Sequence, residues 1–487
     1  LSEPRTANIK HYLPYVALLL VVGLGLWFIL STGSRIFSER PVSDPTSTAS
    51  SSSAARQRSN QTDSVLIEVA ETFRDNLRNP LSTLLLQLVV IIATTRLTGK
   101  LFQRMGQPPV LGEIVAGIVL GPSLLGWISP AVMNFLFPVA SMGTLKLLSQ
   151  LGVVLFMFVV GMDLDIEHLR QRAHTAIMVS HASIVVPFFL GAALSLLVYQ
   201  SLATPETSFT AFALFLGIAM SITAFPVLAR ILEDRRMSQS QLGTMALTCA
   251  AVDDVTAWCL LALVIAVAQS VSLTASFLTI LLTLVFILAM LLIVKPQVAR
   301  LLEEKSIEAG HSRRLVAAIL VFVFGCALLT ETIGIHALFG AFIAGIVMPY
   351  AAGIRTMLKE KLETFSAVAL LPLFFAFTGL RMQLTLLNDW QGWAICGVIV
   401  AVAIVGKLGA SMLMAKWTGM TWRDSFSLGA LMNTRGLVEL VVLNIGYDLG
   451  IVSARAFAML VLMALITTFM TGPLLSLVET GQSPSMK

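Results

Sequence analysis

Charge is what this sequence has least of. Only 12% of its 487 residues are Asp, Glu, Lys or Arg, against roughly 25% in a soluble domain. Over this length, that scarcity excludes an ordinary soluble enzyme. The polar–apolar alternation of an outer-membrane barrel strand is also missing, which excludes that class. The four cysteines, Cys249, Cys259, Cys326 and Cys396, each lie inside an apolar run, with no Cys-x-x-Cys pair and no Cys/His cluster. Neither a structural disulfide nor a zinc site is expected, and no cofactor is read from the sequence.

Apolar residues fill the gap. They make up 56% of the chain, and the mean hydropathy is +0.86. A lipid bilayer leaves two spanning solutions, helices and closed barrels. With barrels excluded, the expected fold class is an all-α polytopic membrane protein. Apolar runs fall near 81–97, 108–125, 145–163, 174–200, 208–228, 241–268, 273–294, 313–331, 333–349, 364–380, 392–415, 425–446 and 455–477. That gives about thirteen spans. One further run, about 13–30, reads as an N-terminal signal-anchor helix within residues 1–30. Residues 31–79 form a linker. Its Ser/Thr-rich part, 41–64, cannot bury a core, and Leu66, Val69, Ala70, Phe73 and Leu77 suggest an amphipathic helix at the membrane surface. The remaining divisions are a first transmembrane repeat (81–268), a linking helix and loop (269–312), a second repeat (313–477) and a tail (478–487).

Loop charge sets the orientation. Alternate loops carry eighteen Lys and Arg residues, from Arg96 to Arg423, and the other set carries three, Lys146, Arg381 and Arg455. The rich set is expected in the cytoplasm, together with both termini. The net charge of +5 therefore reports topology, and no nucleic-acid partner is inferred.

Two spans hold helix breakers in matching places. Ser221-Ile222-Thr223-Ala224-Phe225-Pro226 interrupts 208–228, and Asn433-Thr434-Arg435-Gly436 interrupts 425–446. Each is the middle of a three-span group. Paired interruptions point to inverted repeats with a substrate site between them.

The most informative residues are Asp253 and Asp254, mid-span in Ala251-Val252-Asp253-Asp254-Val255-Thr256-Ala257-Trp258. One Asp at a helix centre costs about 2.5 to 3.5 kcal/mol on insertion scales. Adjacent helical residues point about 100° apart, so the pair need not share a proton. Desolvation disfavours a bare carboxylate, so a proton and an alkali cation compete for it. That competition is sufficient chemistry for cation/proton exchange. Lys407, also mid-span, is expected to pair with Asp253 when no ion is bound. Arg435 cannot deprotonate and reads as a fixed charge, with Glu439 and Glu113 as candidate partners. Glu331 and His336 lie near span ends. His181 lies within a span and reads as a packed, hydrogen-bonded residue.

Taken in order, these stretches resemble the second branch of the monovalent cation/proton antiporter superfamily. That branch holds bacterial sodium/proton and potassium/proton antiporters, glutathione-gated potassium-efflux proteins and plant cation/proton exchangers. The similarity is carried by Gln107-Pro108-Pro109-Val110-Leu111-Gly112-Glu113, Gly161-Met162-Asp163-Leu164-Asp165, Thr223-Ala224-Phe225-Pro226, Asp253-Asp254, His336-Ala337-Leu338-Phe339-Gly340 and Asn433-Thr434-Arg435-Gly436. The resemblance implies a dimerisation domain and a moving six-helix core, two unwound helices crossed at the ion site, an elevator-type cycle and a homodimer. It makes Asp254 the principal ion-binding carboxylate and Asp253 its partner, together holding the alkali cation. It also makes Lys407 the lysine paired with Asp253, and Thr223 an oxygen donor in the first crossover. The transported partners would be Na⁺ or K⁺ and H⁺, in a bacterial inner membrane. The potassium-efflux and plant members usually carry a C-terminal regulatory domain, which leaves a minimal antiporter or a shortened chain as alternatives here. A gated potassium-efflux pathway without proton coupling is the other functional reading, although no Thr-Val-Gly-Tyr-Gly filter is present. A non-transporting scaffold would gain nothing from the two buried carboxylates.

Overall fold

The computed structural model describes residues 9–36, 76, 79–163, 173–238, 240–269, 273–303, 312–349, 352–363 and 366–479. The Ser-rich linker, nearly all of the amphipathic segment, Asp165 and the end of the tail lie outside the described residues. Within them the chain is helical, apart from an isolated bridge between Ala203 and Val452.

The elements that matter below are α1 (Ile9–Ile36), α2 (Pro80–Arg104), α3 (Pro109–Leu120), α4 (Val139–Asp163), α5 (Ala173–Leu202), α6 (Phe209–Ser221), α7 (Phe225–Asp234) and α8 (Gln241–Gln269). They continue with α9 (Leu273–Ala289), α10 (Ser312–Ile333), α11 (Ala337–Ile346), α12 (Leu371–Leu380), α13 (Trp390–Ile404), α14 (Ala410–Trp417), α15 (Trp422–Met432), α16 (Leu437–Asp448) and α17 (Ala454–Glu479). Among the described residues, eleven helices are long and apolar enough to cross a bilayer. They become twelve when α15 and α16, bent by 42° at their break, count as one span. The protein is an integral membrane protein. One run differs from the sequence expectation. Residues 333–349 yield only the ten-residue α11, too short alone for a hydrocarbon layer of about 30 Å. Its start is fixed by left-handed backbone at Gly334 (φ 94°) and His336 (φ 85°).

Two sets of helices pack among themselves. In the first, α3 lies against α2 and α12, and α4 lies against α11 and α12. Gly117 and Gly379 make the α3–α12 approach possible. A Cβ on Gly117 would overlap the Ala376 carbonyl, and one on Gly379 would overlap that of Ile114. Small residues at such crossings let backbones touch. In the second set, α5 packs on α6, α8 and α14, α8 on α15, and α17 on α13, α15 and α16. The extra helix α1 also rests on α5, where Gly25 meets the ring of Phe189.

The two broken spans sit in this second set. Ile222, Thr223 and Ala224 leave the helix between α6 and α7, and Pro226 occupies the first turn of α7, where a missing N–H costs nothing. Asn433 to Gly436 separate α15 from α16. The strands of the two breaks touch, with the Ala224 amide donating to the Thr434 carbonyl at 3.0 Å.

Candidate ion site at the crossing of two broken helices

A helix that ends inside a bilayer exposes four carbonyls with no intrahelical partner, and lipid cannot solvate them. At the end of α6 all four are satisfied. Ile218 O accepts from Ser221 Oγ (2.9 Å), Ala219 O from Arg435 Nη1 (2.8 Å), Met220 O from Arg435 Nη2 (2.6 Å) and Ser221 O from Lys407 Nζ. At the end of α15, the Gly429, Leu431 and Ala430 carbonyls accept from the amides of Asn433 and Thr434 and the hydroxyl of Thr471. The basic side chains of Arg435 and Lys407 thus both cap one negative helix end, that of α6. Arg435 is also 3.0 Å from Glu439, one turn into α16, and both are fully buried. Of its two candidate partners, Glu439 is the one it meets. Glu113 instead lines a separate cavity beside Pro226 and Arg230.

Lys407 reaches the site through a local irregularity. It lies in a π turn, Val405–Gly409, between α13 and α14, a distortion that often marks functional positions. Gly406 allows the turn to press on Pro187, because a Cβ there would lie 3.1 Å from Pro187 Cα. Pro187 in turn lies inside α5 and has no N–H to give Ser183 O. Lys407 Nζ takes that freed carbonyl at 3.0 Å. It also pairs with Asp253 Oδ2 at 2.9 Å.

The two aspartates differ sharply. Asp253 is saturated: Ser180 Oγ donates to Oδ1 at 2.5 Å, and Ser183 Oγ (2.8 Å), Thr223 Oγ1 (2.6 Å) and Lys407 donate to Oδ2. Asp254 is equally buried, yet neither of its carboxylate oxygens has a hydrogen-bond partner. Among the described residues only the Phe225 backbone amide, at the start of α7, is directed at this carboxylate as a donor, too loosely for a regular hydrogen bond, and no side chain donates to it; the charges of Asp253 and Lys407 also act on it. The Asn433 amide is likewise buried, with both polar atoms unpartnered. Thr223, expected as an oxygen donor to the ion, gives its hydroxyl proton to Asp253 at 2.6 Å, which leaves lone pairs on its oxygen for a cation. Asp253, expected to share the cation, has both oxygens engaged. Asp254 is therefore the carboxylate whose acceptor capacity is still open.

Water can approach this point from one side. A cavity of about 550 Å³ is lined by Phe225, Pro226, Arg230, Glu233 and Lys359, and one of about 370 Å³ holds Glu113. Both lie between the two helix sets; Phe225 itself lines the larger and Pro226 the smaller. On the opposite side Trp258 and Leu261 are buried, and the Trp258 ring rests 6.0 Å from that of Phe342. A third cavity, of about 470 Å³, begins beyond them at Ile265. That is eleven residues, or about 16 Å of helix, from Asp254.

The family model described as sodium/hydrogen exchanger, transmembrane, matches residues 89–478. The chain belongs to the sodium/hydrogen exchanger family. Among curated relatives it is 46% identical over 397 residues to the Na⁺/H⁺ antiporter NhaS4 of Synechocystis, covering 81% of this chain and 97% of that protein. It is 38% identical to cation/H⁺ antiporter 17 of Arabidopsis thaliana (84% of this chain) and 35% to K⁺/H⁺ antiporter 1 of Saccharomyces cerevisiae (83%). The chain spans about half the length of these plant and yeast relatives, 50% and 47%. The solved structure of the sodium proton antiporter MjNhaP1 of Methanocaldococcus jannaschii shares the fold, with a TM-score of 0.58 at 14% identity over 82% of this chain and 98% of that one.

Within this member of the family, sequence reasoning missed Ser180 and Ser183. Their signal was available. Pro187 inside a span frees the carbonyl four residues earlier, and Ser183 is that residue. His181 is hydrogen-bonded as expected, with Nδ1 2.8 Å from Ile177 O, but it is half-buried rather than packed in the interior.

Proposed function

We propose that this chain is a secondary antiporter that exchanges Na⁺ or K⁺ for protons across a membrane. One observation carries the proposal: a buried carboxylate, Asp254, to which no side chain donates, sits at the crossing of two broken helices beside Phe225, which lines a cavity. An unpaired buried charge is untenable, so a proton or a cation occupies Asp254, and each displaces the other. The hard oxygens of a carboxylate suit alkali cations.

The cavities on the Arg230 side face the cytoplasm, where the Lys- and Arg-rich loops lie. The set α5–α8 with α13–α17 moves as a core past the other helices, which form the dimer contact of a homodimer. Cation enters from the cytoplasmic cavity, releases the proton of Asp254, and leaves on the opposite face after the core shifts. Lys407 and Asp253 form a coupled pair beside this event.

Reconstitution into proteoliposomes tests the reading. With an imposed pH gradient and an internal pH dye, addition of Na⁺, K⁺ or Li⁺ in turn collapses the gradient for the transported ion. Asp254→Asn abolishes the effect. Loss of voltage dependence in Asp253→Asn identifies the pair as a second proton carrier, whereas unchanged voltage dependence assigns Lys407 a fixed screening role. Tracer K⁺ leak with no proton movement refutes antiport and favours an uncoupled efflux pathway.

A further inference from the structure

The face opposite the Arg230 cavities is held shut by ionic contacts that join the two helix sets. Asp448, the last residue of α16, takes Lys146 of α4 on Oδ2 at 2.9 Å and Arg381, just after α12, on Oδ1. Asn444, one turn earlier, accepts from Arg381 Nη1 at 2.8 Å and donates to Thr378 of α12, also at 2.8 Å. The Arg381 guanidinium lies 4.4 Å from the ring centre of Tyr447 on α16 and 5.9 Å from that of Phe457 on α17. Every partner on one side belongs to α16 or α17, and every partner on the other to α4 or the α12 end.

The contact is partly dry. Side-chain exposure is 14% for Arg381, 19% for Asp448 and 36% for Lys146. Such pairs are worth more than fully solvated ones. A cavity of about 470 Å³ opens between the sets on this face too, lined by Lys146 and Asp448, but it reaches only Ile265, short of the buried Trp258 and Leu261, whereas a cavity on the Arg230 side reaches Phe225.

We propose that Asp448, gripped by Lys146 and Arg381 and backed by Asn444, is a latch that favours the state open toward Arg230. The proposal rests on the antiport reading, since a latch between the sets matters only when they move. Opening the far face separates Asp448 from both cations and unstacks Arg381 from Tyr447. Removing the Asp448 charge lowers the cost of that step while leaving the Asp254 site untouched.

Hydrogen–deuterium exchange on the whole protein in detergent tests this, with Asp448→Asn as the variant. Exchange rises about five- to thirtyfold in segments 377–386 and 441–452, the change produced by about one to two kcal/mol. It falls in 225–236 and 356–363, which line the Arg230 cavities. Lys146→Gln, on a side chain exposed enough not to threaten folding, gives the same pattern with smaller amplitude. In liposomes the apparent cation affinity from the Arg230 side weakens, because the competent state is less populated. Unchanged exchange in both variants, or a uniform rise on both faces, overturns the latch. A wild type that moves no protons refutes antiport separately, because the exchange pattern is read without transport.

Discussion

Asp253 and Asp254 are neighbours of equal burial, but they are predicted to respond oppositely to the same substitution. Asn at 253 keeps the shape yet offers one acceptor oxygen where Ser180, Ser183, Thr223 and Lys407 now use two. It also leaves the Lys407 ammonium buried without its counter-charge. Breaking one side of a buried pair costs about 3–5 kcal/mol. Unfolding entropy of about 2.1 cal/mol/K per residue, over 487 residues, is roughly 1 kcal/mol/K, so Tm falls by about 3–5 °C. Asn at 254 removes a carboxyl group to which no side chain donates, so Tm stays level or rises while transport is lost. The transported cation adds its own signature. At a hundred times its Kd it stabilises by about 2.7 kcal/mol. That raises Tm by about 3 °C in the wild type and in Asp253→Asn, and by nothing in Asp254→Asn. A thiol-reactive dye can follow unfolding, because Cys249, Cys326 and Cys396 are buried. Equal loss of Tm in the two variants, or cation stabilisation that survives Asp254→Asn, would falsify the division of labour between them.

Arg435→Gln strips the Ala219 and Met220 carbonyls and leaves Glu439 unpaired. Thermal unfolding should show a loss of about 3–5 kcal/mol, larger than any surface Arg substitution. Replacing Asp253 and Lys407 together, with Asn and Met, should cost less than the sum of the single changes, which a double-mutant cycle reads directly. Gly117→Ala drives a Cβ into the Ala376 backbone and should destabilise by about 1–3 kcal/mol without altering ion preference. Beyond the membrane spans, a hydrogen bond from Arg455 holds the Asp389 carboxyl below its usual range. A depressed folded-state value makes this contribution full above the unfolded value, about 3.9, and lost as pH falls through the folded one. The Tm gap between wild type and Asp389→Asn should therefore be constant near neutrality and close in acid.

Composition and apolar run length were enough to determine an all-helical membrane protein, because lipid tolerates no unsatisfied backbone and few charges. The same argument located the crossing. Pro226 and Gly436 sit where unbroken helices would be cheaper, so their spans had to be interrupted, and the structure puts both breaks in contact. The Asp253–Asp254 pair stood out because its insertion cost is large against everything around it. Tertiary structure alone decided which carboxylate is open, since two adjacent aspartates carry identical chemistry and differ only in what faces them. The serines that saturate Asp253 come from a helix some seventy residues earlier in the chain, and Lys407 arrives from the other half through a π turn. The choice of Glu439 over Glu113 for Arg435, and the meeting of Asp448 with Lys146 and Arg381, likewise depend on packing between distant helices. Local pattern fixes which residues must be buried and where helices must break. It cannot fix which buried polar groups meet, because that depends on how the spans fold against one another in three dimensions.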